Sequence, residues 1–86
     1  MPRLSEFYGI AIYMYFSDHS PPHFHAIYAE HEALVRLEDG VVIRGELPGT
    51  AARLVEQWRK LHEIELRQNW LLAQTPAPLL TIEPLQ

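Results

Sequence analysis

Two consecutive prolines, Pro21-Pro22, limit what this chain can fold into more than any other pair of its residues. Neither carries a backbone donor, and each holds the residue before it extended, so a paired strand cannot run through them. The apolar run upstream and the alternation that resumes at His23 therefore belong to different strands, joined by an arch. Upstream, Phe7 to Phe16 reads as one strand, with Ile10, Ile12, Met14 and Phe16 on one side of the pleat and Ala11, Tyr13 and Tyr15 on the other. Gly9 marks a bulge or a close backbone approach in that reading. Downstream, a strand from His23 puts His23, His25 and Ile27 on one face and Phe24, Ala26 and Tyr28 on the other.

The polar break at Ala29-Glu30-His31 separates this strand from a third, Glu32 to Glu38. Asp39-Gly40 then lies between two alternating runs, and a type I′ hairpin turn requires positive φ at both of its central residues, which this pair supplies. The fourth strand runs from about Val41 to Glu46. After Leu47-Pro48-Gly49, Thr50 is the expected helix cap, and Ala51, Leu54, Trp58 and Leu61 recur at helical spacing. A straight continuation would turn Glu65 and Gln68 onto the buried face at the cost of an unpartnered carboxylate, so a bend or break is expected between His62 and Glu65, with a second segment to about Gln74. Thr75-Pro76-Ala77-Pro78 ends the helix. The closing Leu79 to Leu85 stretch is apolar enough to dock, either as an edge strand on the same sheet or on a second copy of the chain.

The expectation is one domain of 86 residues in the α+β class: a four-stranded, mostly antiparallel sheet over residues 1–47, a bent helix or two short helices over 49–74 on one face, and an extended tail over 75–86. No apolar run reaches the roughly 20 residues that span a bilayer, so no membrane partner is expected. With no cysteine and no secretory pattern at Met1 to Ser5, the cytoplasm is the expected compartment. A formal charge of −4, with basic residues dispersed among acidic ones, gives no support to nucleic-acid binding, although an RNA substrate is retained as a candidate.

Three of the five histidines fall within Asp18 to His25. Imidazole is the side chain best placed for proton transfer near neutrality, so His23 and His25 are the candidate catalytic groups, with Asp18 to orient them. His19, Tyr13 and Tyr15 are candidate binding residues beside them, and Arg36 and Arg44 on the neighbouring hairpin are the cations that a scissile phosphate would need. Asp18, His19, His23 and His25 also have spacing compatible with a metal site. The motif holds no cysteine, no second carboxylate and no His-Glu-x-x-His helix, so no metal and no cofactor are assigned. The alternative is structural: the imidazoles bond carbonyls left free by the prolines, and Asp18 caps its own turn. His31 and His62 read as surface residues, and Trp58 and Trp70 as core or interface anchors. Tyr13, Tyr15 and Tyr28 with Ile27 and Leu34 would form an apolar patch if the second sheet face is uncovered, which predicts a homodimer or a protein partner.

The opening Met1-Pro2, the strand ending Phe16-Ser17 before Asp18-His19, and above all Pro21-Pro22-His23-x-His25 resemble the bacterial family called domain of unknown function 4160. Leu66-Arg67-Gln68-Asn69-Trp70 and Ile82-Glu83-Pro84-Leu85 resemble its later segments, so the likeness covers nearly the whole chain. The resemblance implies a small cytoplasmic prokaryotic protein, often encoded beside a small protein of the family called domain of unknown function 2442. The two are suspected toxin and antitoxin partners. That implies a protein complex and admits an RNA-directed toxic activity, and it carries over no known catalytic residue.

Overall fold

In the computed structural model, which describes residues 2–86, five strands form one antiparallel sheet in sequence order, and two helices follow. The strands are β1 (Arg3–Phe7), β2 (Ile10–Tyr13), β3 (His23–Tyr28), β4 (His31–Arg36) and β5 (Val42–Gly45); the helices are α1 (Gly49–Leu61) and α2 (Glu63–Gln74). Met1, half of the opening Met-Pro pair, lies outside the described residues. The α+β class is as expected, but the sheet has five strands rather than four. Tyr8 and Gly9 take φ values of 50° and 78°, the left-handed pair that a type I′ turn needs. They turn the chain at the head of the run expected as one strand, Phe7 to Phe16, so that only Ile10–Tyr13 of it is β2, and the additional strand β1 comes from Arg3–Phe7 upstream, where no strand was expected.

Asp39-Gly40 does close a hairpin, by a different route. Only Gly40 is left-handed, at φ 78°, and the turn is a four-residue loop, Leu37 to Gly40, in which the Arg36 N–H donates to the Val41 carbonyl at 2.9 Å. Asp39 holds the loop with its side chain, accepting from the Val41 N–H at 3.1 Å and from Arg36 Nε at 2.9 Å. A side chain at position 40 would run into Glu56 and Arg59 of α1, so the glycine also lets the loop approach the helix.

The helices cover one face of the sheet. Phe7, Ile10, Ile12, Phe24 and Val35 are buried there with Val55, Trp58, Leu66 and Trp70. Trp58 is the centre, its ring 5.4 Å from Phe7 and 5.7 Å from Phe24. The buried stripe of α1 is Ala51, Val55, Trp58 and Arg59, whereas Leu61, expected to face inward, is exposed. Thr50 does not cap: Pro48 takes the cap position, its carbonyl accepting from Ala52 N–H at 2.9 Å, and no side chain bonds there. The break falls at His62, with φ −125° and ψ 29°, inside the interval expected for it. Glu65 consequently turns partly outward and Gln68 fully so. His62 itself is not a surface residue; its ring packs 5.5 Å from Trp58 and its Nδ1–H donates to Glu65 at 2.7 Å.

The tail forms no strand and docks on its own chain. The Ile82 N–H donates to the Leu4 carbonyl at 2.8 Å, which occupies the β1 edge, and the Trp58 indole N–H donates to the Glu83 carbonyl at 2.8 Å. Asn69, fully buried on α2, donates to the Leu80 carbonyl and accepts from the Leu80 N–H, both at 2.8 Å. Replacing Asn69 with Ala removes both bonds and is expected to cost about 2 kcal/mol. Thermal melts should show that loss, and exchange of the Ile82 amide should accelerate beyond that of the β3 amides; equal protection would show that the tail docks without Asn69. No helix of the described residues is long and apolar enough to cross a membrane.

Candidate functional site

Strand pairing determines which side chains meet on the sheet face away from the helices. Directly opposed residues of an antiparallel ladder point to the same side. Tyr13 pairs with His25, His25 with Leu34, and Leu34 with Arg44, which makes one row across four strands. His23 pairs with Arg36 in the next row, and Ile27 with Glu32 on the other side. The arch between β2 and β3 folds over this row. Its Ser17 N–H donates to the Ala73 carbonyl of α2 at 3.0 Å, and its Pro22 carbonyl accepts from the Leu37 N–H at 3.0 Å. The Ser20–Pro21 peptide is cis.

Anchored in this way, the arch lowers Asp18 onto the two histidines. Asp18 Oδ2 lies 3.0 Å from His23 Nε2 and 3.3 Å from His25 Nε2. Each ring is oriented from its far side. The His23 Nδ1–H donates to the Pro21 carbonyl at 2.7 Å, and the His25 Nδ1–H donates to Glu32 Oε2 at 3.1 Å. The two histidines are only 4% and 7% exposed. Tyr15 stands edge-on to His25 with ring centroids 4.1 Å apart, and Trp70 of α2 packs 5.5 Å from His23. His23 Nε2 is buried and, although close to Asp18, lies off the line of a hydrogen bond, so it has no hydrogen-bond partner. A buried polar atom left unpaired is costly, which makes this nitrogen the most informative atom of the site.

Burial opposes ionisation of Asp18, but the His19 amide, the His25 ring and the charges of His23 and His25 together hold its carboxyl below the usual range. Burial raises Tyr15, helped by Glu32, Tyr13 and Asp18. Asp18, His23 and His25 each offer one ligand atom within 4.8 Å of the others, the only such group among the described residues.

The expected catalytic trio thus comes together, with Tyr13 and Tyr15 against it. His19 does not join: it is exposed, and its backbone N–H donates to Asp18 Oδ1 at 2.8 Å, one residue away rather than as a wider turn cap. Arg36 stands across from His23, but its guanidinium is held by Asp39, whose carboxyl it lowers to about 2. Arg44 is exposed on the edge strand, at the far end of the His25 row. Glu32 is a member that sequence reasoning missed. The signal was available: a two-residue turn at Ala29-Glu30 pairs Tyr28 with His31 and counts back to place Glu32 diagonally beside His25 on one face.

No match was found among curated proteins or among solved structures. The family described as Domain of unknown function (DUF4160) matches residues 9–71, which take in the arch, all of β2 to β5, α1 and most of α2. With the Pro21-Pro22-His23-x-His25 element inside that match, the chain belongs to this family.

Proposed function

We propose that this chain is one component of a prokaryotic toxin–antitoxin type module and works through a protein partner that adds a strand to β5. The observation that carries the reading is the asymmetry of the two sheet edges. The β1 edge is occupied by the chain's own tail, whereas every residue of β5 is exposed, and Val41, Val42 and Ile43 present apolar side chains there. An uncovered edge with apolar residues is the surface to which another chain adds a strand. The partner favoured by the family resemblance is the small neighbouring-gene product of the family called domain of unknown function 2442. In this reading the Asp18–His23–His25 cluster is the working surface and Arg44, exposed in the same row, is the cation available to a phosphate, which is what an RNA-directed activity would use.

The second reading is an interaction module without catalysis. It is favoured by the burial of both rings and by the Pro21 bond of His23, an arrangement that also serves to build the arch. Co-expression with the neighbouring product tests both. The partner should co-purify with the wild-type chain and with Asp18→Asn, and should be lost from the double change Val42→Asp and Ile43→Asp. Retention by the β5 double variant, or no partner at all, overturns the edge reading. Growth arrest on induction of the chain alone that vanishes with Asp18→Asn supports the toxic activity; arrest indifferent to that change, or no arrest, leaves the interaction module.

A further inference from the structure

The geometry points to a binding site for a first-row divalent metal ion at Asp18 Oδ2, His23 Nε2 and His25 Nε2, a ligand set of two imidazoles and one carboxylate. Three features of the cluster support it independently. The first is spacing. Metal–nitrogen and metal–oxygen bonds of about 2.0–2.2 Å put neighbouring ligand atoms about 2.9–3.5 Å apart in octahedral or tetrahedral coordination. The separations of 3.0 and 3.3 Å from Asp18 to the two rings match edges of such a polyhedron, and all three ligand atoms lie within 4.8 Å of one another.

The second is direction. A carbonyl oxygen only accepts, so the bond from His23 to Pro21 places a proton on Nδ1 and leaves Nε2, which sits beside Asp18 without a hydrogen-bond partner, as the ring nitrogen able to hold an ion. His25 meets a carboxylate at each nitrogen, Glu32 at Nδ1 and Asp18 at Nε2 through a 3.3 Å hydrogen bond, so an ion at Nε2 takes the place of that second bond while Glu32 keeps the Nδ1–H. A histidine that donates its far N–H to a carbonyl or a carboxylate is the common outer arrangement of metal-bound imidazole. Asp18 has the same support, with Oδ1 held by the His19 amide and Oδ2 facing the rings. A cation at this point also satisfies the buried, unpartnered Nε2 of His23.

The third is charge. Asp18 and Glu32 bring two carboxylates to two imidazoles, and among the described residues neither carboxylate pairs with a Lys or Arg. Arg36 and Arg59 are engaged with Asp39 and with Glu56 and Glu63. One divalent ion balances both carboxylates with the rings neutral. Nitrogen and oxygen donors without a thiolate select the zinc, iron(II), cobalt(II) or nickel(II) class over calcium or copper(I), and three protein ligands leave at least one coordination position to another ligand. The motif alone assigned no metal for want of a cysteine, a second carboxylate and a His-Glu-x-x-His helix; Glu32 brings the second carboxylate from β4.

The test uses the full chain made without an affinity tag and stripped with chelator, titrated with Zn2+ and with Co2+. Calorimetry should show one equivalent bound, Co2+ should develop visible ligand-field bands, and Zn2+ should raise the melting temperature. Asp18→Asn and Glu32→Gln, checked for native circular dichroism, should weaken binding at least tenfold and about 10–100-fold respectively. His31→Ala should bind as the wild type does. Substoichiometric uptake of both ions, or Asp18→Asn and Glu32→Gln binding like wild type, overturns the site. The isolated chain is used throughout, so failure here and failure of the partner reading are separate results.

Discussion

Replacing Trp58 with Ala is expected to remove about 3–5 kcal/mol of stability, a large share of what a small domain possesses. The indole is fully buried, lies against Phe7 of β1 and Phe24 of β3, and donates its N–H to the Glu83 carbonyl. Truncation leaves a cavity bordered by β1, β3 and the His62 ring at the helix break, and it releases the tail that covers the β1 edge. In a chain of 86 residues the melting midpoint should fall by roughly 15 °C or more. Trp58→Phe keeps the aromatic packing and loses the hydrogen bond, so it should cost far less. A Trp58→Ala protein that melts within a few degrees of wild type would show that the core is not organised on this side chain.

Arg59→Ala has the second largest expected effect, about 2–3 kcal/mol. The Arg59 guanidinium is buried and donates to both Glu56 oxygens at 2.8 and 2.7 Å, to Glu63 at 3.0 Å across the helix break, and to the Leu37 carbonyl at 2.9 Å. It ties the β4–β5 loop to both helices. Removing one member of a buried ion pair is costly because the partner is left uncompensated, but Glu56 and Glu63 are partly exposed and regain water, which places the loss at or below the lower end of the usual range. Lysine cannot reproduce the planar fork, so Arg59→Lys should recover only part of it. The pH dependence has a definite sign. The Arg59 hydrogen bond holds the Glu56 carboxyl below its ordinary value in the folded state. Its contribution is therefore present above the unfolded carboxylate value and is lost as pH falls through the folded one. Denaturant unfolding across that acidic range should show the loss in wild type and its reduction in Arg59→Ala; identical profiles would remove Arg59 from the network.

Where local chemistry decided the structure, the sequence was readable. The prolines forced the arch, strict alternation from His23 put His23, His25 and Ile27 on one face, and the polar Glu65 predicted the break at His62. Three features escaped for physical reasons. Tyr8-Gly9 adopts two left-handed residues at the head of an aromatic and aliphatic run, and tyrosine carries no turn signal, so the hairpin was not seen and its first arm, Arg3–Phe7, was not assigned as a strand. Asp39 used its carboxylate on Val41 and Arg36 instead of a left-handed backbone. Arg59 and Glu32 are charged residues whose partners come from other elements, and they become visible only once pairing register and helix docking are known. The site was legible as a set of residues, but its geometry was not: which nitrogen of each ring faces Asp18 depends on the Pro21 carbonyl and on Glu32.

That orientation is the central claim, and the long-range proton–nitrogen NMR spectrum of the imidazole rings reads it directly. In the zinc-loaded chain His23 and His25 should each keep a proton on Nδ1 and show a metal-shifted Nε2, with His31 and His62 unchanged by zinc. Nε2-protonated rings at His23 and His25, or zinc shifts appearing at the other histidines instead, would contradict it.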